Sequence, residues 1–191
     1  MSSAYFRTLF DTTARSLQAE AGSRSSYAQR EASSPEDRDA LTDRELKFLA
    51  ARDSVYLASV TADGWPHVQH RGGPAGFIQS FGGNRIGFAD YPGNRQFISL
   101  GNVIDRGRVA LLAMDYPARR RLKLIGHAHA VPAEGKAGLV EQASIVIDVV
   151  GFDWNCPKYI EPRFTRAEIE PLVAENTRLR AELARLQRSV A

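Results

Sequence analysis

Short runs of apolar residues, separated by turn residues, occupy the middle of the chain from Ser54 to Phe152. The run "SVYLASV" ends at the hairpin signal "TADG", and the run "WPHVQHR" follows it. Further runs of similar length are "AGFIQSF", "RIGFAD", "RVALLAMD", "RLKLIGHAHAV" and "SIVIDVVGF". Such spacing is typical of an antiparallel barrel or sandwich rather than of alternating parallel βαβ units. The pattern therefore predicts a mainly β fold, a small antiparallel barrel with flanking helices.

Helical spacing of apolar residues flanks these runs and interrupts them twice. Residues 1 to about 21 predict a short helix, 22–35 a polar connector without a period, and a further helix begins near Pro35. Between the strands, segments at about 94–104 and 133–143 predict two inserted helices.

The tail has a different pattern. From Pro171 onward, apolar residues and one asparagine follow 4-3-4-3-4 spacing, at Leu172, Asn176, Leu179, Leu183, Leu186 and Val190. This is the seam of a coiled coil about three heptads long, but a terminal helix packed on its own barrel gives a similar pattern, and both interpretations stay open. The chain divides into an N-terminal helix and connector (1–35), a barrel domain (36–170) and a C-terminal helix (171–191).

Composition narrows the functional classes. The 25 basic residues are nearly balanced by 22 acidic ones, so the net charge of +3 gives little support to a nucleic-acid partner. Cys156 is the only cysteine, which excludes an intramolecular disulfide and a cysteine-based zinc site. No apolar run approaches the roughly 18 residues of a membrane span, and Arg7 and Asp11 interrupt the N-terminal apolar residues. We expect a soluble, cytoplasmic protein without a membrane or nucleic-acid partner.

The stretch "GFADYPGNRQFISLGN" carries the first candidate site. Asn94, Arg95 and Gln96 stand just before the predicted helix at 94–104. Free N–H groups at a helix start bind anions, and a guanidinium adds a charged bidentate contact, so the stretch suits a phosphate. The alternative is that Asn94 only caps the helix and Arg95 is a solvated surface residue.

Two further clusters have a basic residue in a strand. In "VQHRGGPAGF", Gly72 and Gly73 after Arg71 let a flat ligand approach the backbone, although a β-bulge or barrel corner also recruits glycine. In "RRRLKLIGHA", strand alternation places Arg121 and Lys123 on one face, as on a solvated edge.

The histidines give no metal site. His127 and His129 share one face of a predicted strand, an arrangement that a metal or haem site can use. No carboxylate or cysteine pattern accompanies them, so an ordinary surface pair is the preferred interpretation and no metal is predicted.

Several ordered motifs together resemble a known family. "DGWPHVQHRGGPAGF", "FADYPGNRQFISLGNV", "RVALLAMD", "RRRLKLIGHA" and "DWNCPKYIEPR" are similar to the FMN-binding split-barrel proteins related to pyridoxamine 5′-phosphate oxidase, over roughly residues 40–165. The resemblance implies an antiparallel split β-barrel that forms a homodimer with FMN at the interface.

The resemblance also assigns roles. It implies that Arg95 and Gln96 face the FMN phosphate, that Arg71 to Gly73 lie along the isoalloxazine and ribityl chain, and that Arg121 approaches the ring from the partner subunit. The full set of residues expected to bind the cofactor is Arg71, Gly72, Gly73, Asp90, Asn94, Arg95, Gln96, Asn102, Arg121, Lys123, Trp154 and Asn155. Two departures matter: Gln96 replaces the second basic residue of the family's phosphate pair, and no Arg-x-His substrate signature for pyridoxamine phosphate is evident.

The late segment "GFDWNCPKYIEPR" completes the candidate set. Trp154 and Asn155 suit a flavin ring, while Lys158 and Arg163 suit an acidic substrate. Cys156 is either a reactive thiol or inert filler. The sequence thus predicts an FMN-binding flavoprotein, an oxidoreductase acting on a small polar substrate, with no catalytic acid or base identified. The alternative is a non-catalytic module that holds flavin or haem for storage, delivery or sensing.

Overall fold

The computed structural model describes residues 3–32, 39–91, 93–154 and 157–190. Within these ranges the chain forms six helices and seven strands. The helices are α1 (Ser3–Leu9), α2 (Thr12–Glu20), α3 (Arg24–Ala32), α4 (Asp43–Ala50), α5 (Ile98–Asp105) and α6 (Arg166–Val190). The strands are β1 (Ser54–Val60), β2 (Pro66–Gly72), β3 (Gln79–Ser80), β4 (Arg85–Asp90), β5 (Arg108–Asp115), β6 (Arg120–Pro132) and β7 (Ala143–Trp154).

All seven strands belong to one antiparallel sheet in the order β2-β1-β5-β6-β7-β4-β3. The predicted mainly β fold is confirmed, and the curled sheet with its flanking helices is a split barrel. Strand alternation decides which residues enter the barrel: Val55 and Leu57 of β1 and Leu122 and Leu124 of β6 are almost fully buried in the core. The residues that alternate with them, including Arg121 and Lys123, point to the outer face.

Two features shape the sheet. β6 and β7 change register between Ile125 and Gly126, and a Cβ at Gly126 would lie 2.5 Å from the carbonyl oxygen of Asp148. This β-bulge needs glycine because the neighbouring backbone comes too close for a side chain. The split in the sheet is bridged from β2 to β4 by an ion pair between Arg71 and Asp90.

Helix α4 covers the core beside β7. It starts with a capping box, in which Thr42 and Glu45 exchange hydrogen bonds, and it buries Phe48 and Leu49. The indole nitrogen of Trp154 donates to Glu45 at 2.6 Å. Burial acts to raise the pKa of Glu45, but the hydrogen bonds from Thr42 and Trp154 outweigh it and lower that pKa.

The N-terminal region is more helical than its sequence pattern indicates. The single predicted helix is divided in two, because Asp11 caps α2 by accepting from the N–H of Ala14 at 2.7 Å. The segment 22–35, expected to be a polar connector without a period, contains helix α3 over Arg24–Ala32. Tyr27 of α3 packs on the rings of Phe6 and Phe10, an aromatic contact that is invisible to local periodicity.

The inserted helices had mixed outcomes. The first is confirmed as α5, although it begins at Ile98, so Asn94 to Gln96 form a turn before it. The helix predicted at 133–143 is absent: that segment is a loop in which the N–H of Ala133 donates to the carbonyl of Gln142 at 2.9 Å. The tail helix is confirmed and begins earlier, at Arg166. Among the described residues, no helix has both the length and the apolar character needed to cross a membrane.

Candidate functional site

A cleft of about 230 Å³ lies beside the Arg71–Asp90 bridge. Its walls are the end of β2, the end of β4, the turn before α5 with the first turn of that helix, and the loop before β7. It is lined by Gln69, Arg71, Asp90, Tyr91, Gly93, Asn94, Arg95, Phe97, Ile98, Leu100, Leu139, Val140, Glu141, Gln142 and Ala143. The cleft therefore collects four of the residues expected to bind the cofactor, Arg71, Asp90, Asn94 and Arg95, from three separate segments.

The ion pair at one side of the cleft is largely buried. The side chains of Arg71 and Asp90 are each only 14% exposed. Burial raises the pKa of the Asp90 carboxyl, and the adjacent guanidinium of Arg71 offsets this rise only in part. The Nε atom of Arg71 is buried and has no hydrogen-bond partner within the described residues. One donor of this guanidinium is thus left for a ligand or a partner chain.

The turn before α5 has an unusual backbone. Arg95 and Phe97 both adopt positive φ angles, 58° and 54°, which are uncommon for residues with side chains and cluster at functional sites. Asn94 uses its side-chain oxygen within this turn, accepting from the N–H of Gln96 at 3.1 Å. Phe97, the N-cap residue of α5, provides no side-chain cap, so the first amides of the helix have no side-chain acceptor there. Arg95 is exposed beside them and lines the cleft, while Gln96 is exposed but does not line it.

The two glycines after Arg71 have a packing role. A Cβ at Gly73 would lie 2.7 Å from the Cβ of Phe77, and a Cβ at Gly72 would lie 3.1 Å from the ring of His70. Neither glycine lines the cleft. The close approach of Phe77, a core residue, accounts for Gly73 without a ligand, and contact of the two glycines with a cofactor stays a prediction.

Arg121 and Lys123 point to the outer face of the sheet, as strand alternation predicts. Lys123 is engaged within its own chain: its ammonium lies 3.0 Å from Asp153 and 5.2 Å from the ring centre of Tyr5. Burial acts to lower the pKa of Lys123, but the hydrogen bond to Asp153 prevails and raises it. Arg121 differs, because its buried Nε has no hydrogen-bond partner in the part of the chain that the structure describes.

Asn102 and Trp154 hold the fold together and lie outside the cleft lining. The amide of the buried Asn102 donates to the hydroxyl of Ser59 at 2.9 Å, which fastens α5 to β1. Trp154 packs edge-on against Phe48 with 4.7 Å between ring centres, and the guanidinium of Arg44 lies 4.5 Å from the indole centre. Their assignment to the cofactor stays a prediction.

The segment that follows β7, from Pro157 to Ile160, is hydrogen-bonded to the turn between β5 and β6. Arg119 donates to the carbonyls of Ile160, at 3.0 Å, and Pro157, at 3.3 Å. Lys158 is exposed, and the guanidinium of Arg163 lies 5.0 Å from the ring centre of Tyr116, so neither residue lines the cleft.

Asn155 and Cys156 lie outside the described residues, so their predicted roles are untested.

Some cleft residues escaped the sequence analysis. Gln69 lies two residues before Arg71 in β2 and so shares its face, a spacing that signals a common lining. Tyr91 and Phe97 flank the turn before α5, the segment for which the sequence predicted phosphate binding. The wall from Leu139 to Ala143 gave no usable signal, because its spacing resembles a helix.

Comparison with known proteins gives one family. The family model described as pyridoxamine 5′-phosphate oxidase matches residues 41–149. No curated protein matches the chain.

Solved structures with some similarity come from several bacteria. A candidate pyridoxamine 5′-phosphate oxidase of Lactobacillus delbrueckii is 17% identical, with a TM-score of 0.47, over 62% of this chain and 97% of that one. HupZ of Group A Streptococcus is 15% identical, with a TM-score of 0.47, over 65% and 100% of the two chains. HutZ, the haem storage protein of Vibrio cholerae, is 15% identical, with a TM-score of 0.43, over 58% and 92%.

Proposed function

Because the chain belongs to the pyridoxamine 5′-phosphate oxidase family, whose model covers more than half of it, we propose that it is a homodimeric, FMN-dependent oxidoreductase. Bound FMN would supply the electron transfer, and the protein would bind and orient the flavin and a small polar substrate. One observation carries the proposal. The structure describes two buried side-chain nitrogens without a hydrogen-bond partner, and they belong to Arg71 and Arg121, both expected at the flavin.

The turn before α5 suits the phosphate of FMN. Arg95 contributes a full positive charge, and the uncapped amides of Ile98 and Ser99 contribute N–H donors at the positive end of a helix dipole. Arg71 lies in the same cleft, where its unpaired Nε can donate to the flavin. The cleft thus offers a charged end for phosphate and a buried donor beyond it.

A second chain is needed to complete this site. Ligand pockets usually measure about 300–1,000 Å³, so the 230 Å³ cleft of one chain is small for a flavin nucleotide. Arg71 pairs in register with the core residue Val55, whereas Arg121 pairs with Met114 on the outer face. A single chain therefore presents the two unpaired nitrogens on opposite faces of its sheet. In a dimer, the outer face of one chain can bring its Arg121 to the cleft of the other.

The outer face also has the character of an interface. Tyr56, Val60 and Val68 lie there on adjacent strands and are 38%, 36% and 63% exposed. An apolar sheet face of this kind commonly marks a protein contact. Arg163 lies near the same face through its contact with Tyr116, so it and Lys158 are proposed to reach a partner's substrate rather than their own cleft.

The test separates a cofactor contact from a structural one. Arg121→Met removes a buried nitrogen that lacks an acceptor, so the apo-protein should keep or gain free energy of unfolding. FMN affinity should fall by about 1.5–3 kcal/mol, the range for charged hydrogen bonds. Arg85→Met is the control, because Arg85 is half-exposed, pairs with Asp148 and does not line the cleft. Fluorescence titration with FMN measures both variants, and equal affinities for them would contradict the role of Arg121.

The visible spectrum and redox behaviour of the purified protein test the rest. A flavin spectrum that a nicotinamide cofactor or a reductase bleaches, and that oxygen or a small polar acceptor restores, is the expected result. Pyridoxamine phosphate should reduce the oxidised form poorly, because the Arg-x-His element is missing. A haem spectrum, or FMN that accepts no electrons from any donor, would instead favour a storage or sensing module.

A further inference from the structure

Helix α6 carries several large apolar side chains that are exposed in the described structure. The helix is 25 residues long, and no described helix or strand packs along it. Its large apolar residues are strongly exposed: Ile169 42%, Leu172 70%, Val173 60%, Leu179 50%, Leu183 56% and Leu186 51%. Helices in proteins owe most of their stability to packing of such a face, so a helix of this kind requires a partner.

The order of these residues selects the kind of partner. In a heptad written abcdefg, Ile169, Asn176 and Leu183 fall at a positions, and a leucine occupies each d position, at 172, 179 and 186. Leucine at d, with a β-branched residue and a single asparagine among the a positions, favours two parallel strands. We propose that α6 pairs with α6 of a second copy of this chain, in parallel and in register, as a two-stranded coiled coil over residues 169–186. This inference is independent of the flavin.

The charges flanking the seam agree with parallel pairing. Glu175 and Glu182 fall at g positions, and Arg180 falls at the e position five residues after Glu175. In a parallel pair, each g position of one helix lies beside the following e position of the other helix. Glu175 of each copy can therefore pair with Arg180 of the other copy, which gives two equivalent ion pairs. Antiparallel pairing would bring g residues together and place glutamates opposite each other. In the single chain Glu175 accepts hydrogen bonds from Arg178 at 2.6 and 2.8 Å, and Arg180 forms no ion pair with the other described residues.

Asn176 fixes the register. In a parallel, in-register pair, two copies of Asn176 lie opposite each other, where each amide can hydrogen-bond the other. In an antiparallel pair, or after a slip of one heptad, the amide faces an apolar side chain and loses its partner, which costs stability when buried.

Disulfide trapping in the full-length chain tests this arrangement. Cys156, the only cysteine, is replaced by serine, and Asn176→Cys is introduced. An in-register parallel pair brings the two thiols within bridging distance, so mild oxidation should convert most of the protein to a covalent dimer. Arg178→Cys, two residues away on the outward side of the helix, is the matched control and should remain uncrosslinked. Equal crosslinking at both positions, or none at 176 while circular dichroism shows an intact helix, would overturn the proposal.

Charge exchange tests the pairing itself. In the Asn176→Cys protein, Arg180→Glu places like charges across the seam and should reduce the covalent dimer, and Glu175→Arg added to it should restore the dimer. Leu179→Asp should abolish crosslinking, whereas Ala181→Asp, which adds the same charge on the outward face, should not. Failure of Glu175→Arg to restore crosslinking would overturn the parallel arrangement.

Discussion

The surroundings of the ion pair between Arg71 and Asp90 predict how the loss of one or both partners changes the free energy of unfolding. The pair bridges β2 and β4, at the split in the sheet, and each side chain is 14% exposed. Asp90→Asn leaves the guanidinium buried without its counter-charge, and Arg71→Met leaves the carboxylate without its cation. The double variant removes both charges and keeps most of the volume.

The expected magnitudes follow from desolvation. Removing one partner of a buried pair costs about 3–5 kcal/mol, and the residual exposure here argues for the lower end, about 3 kcal/mol for Asp90→Asn. Replacing both partners is often close to neutral, so the double variant should be more stable than the sum of the two losses predicts, by at least about 2 kcal/mol. Urea unfolding of the apo-proteins at neutral pH gives these free energies. Losses that add within about 0.5 kcal/mol would refute the coupling.

Acid pH distinguishes the two single variants. Burial already raises the pKa of Asp90, and Arg71→Met removes the cation that restrains this rise. A carboxyl with a raised pKa in the folded state contributes stability while it is protonated, and this contribution is lost as pH rises through the folded pKa. The Arg71→Met protein should therefore recover stability relative to the wild type on acidification. Asp90→Asn has no carboxyl to protonate and should show no such recovery, so a parallel pH dependence of the two variants would contradict this mechanism.

Two further predictions concern the cleft and its support. Arg95→Ala should weaken FMN binding by about 1.5–3 kcal/mol without changing unfolding, because Arg95 is an exposed full charge at the α5 turn; unchanged affinity in titration would remove it from the phosphate site. Gly73→Ala should lower the free energy of unfolding by about 1–3 kcal/mol, since the new methyl group meets Phe77 at 2.7 Å. Gly101→Ala, in α5 with nothing within 4 Å, is the control and should stabilise by about 0.5–1 kcal/mol, and equal effects of the two changes in urea unfolding would contradict the packing role of Gly73.

The sequence was informative wherever local chemistry decides structure. Alternation along β6 is enough to place the side chains of Arg121 and Leu122 on opposite faces of the sheet. The hairpin signal at 61–64 is enough to predict that β1 and β2 are joined by a tight turn. Both hold because side-chain direction in a strand has a strict period of two. The spacing of the apolar runs indicated a small antiparallel barrel, and the family motifs identified it as a split barrel.

Long-range contacts explain what the sequence pattern missed. Helix α3 depends on Tyr27 reaching rings in α1, and a polar segment gives no sign of that contact. The segment 133–143 has helical spacing, but it closes as a loop between β6 and β7, because the strands on either side must pair antiparallel. In each case a tertiary partner overrides the local preference.

The proposed barrel dimer and the proposed coiled coil place compatible demands on one assembly. An isologous dimer and a parallel coil each have a two-fold axis, and a closed dimer satisfies both only when the axes coincide. The chain leads into α6 past Arg163, which contacts Tyr116, and Tyr116 in turn hydrogen-bonds to Tyr56 on the uncovered outer face. If that face is the dimer contact, both copies of α6 leave the barrels close to the axis and in the same direction. The barrel contact then holds the two α6 helices at a high effective concentration, and the coiled coil does the same for the two barrels. Neither interface therefore needs a high affinity by itself.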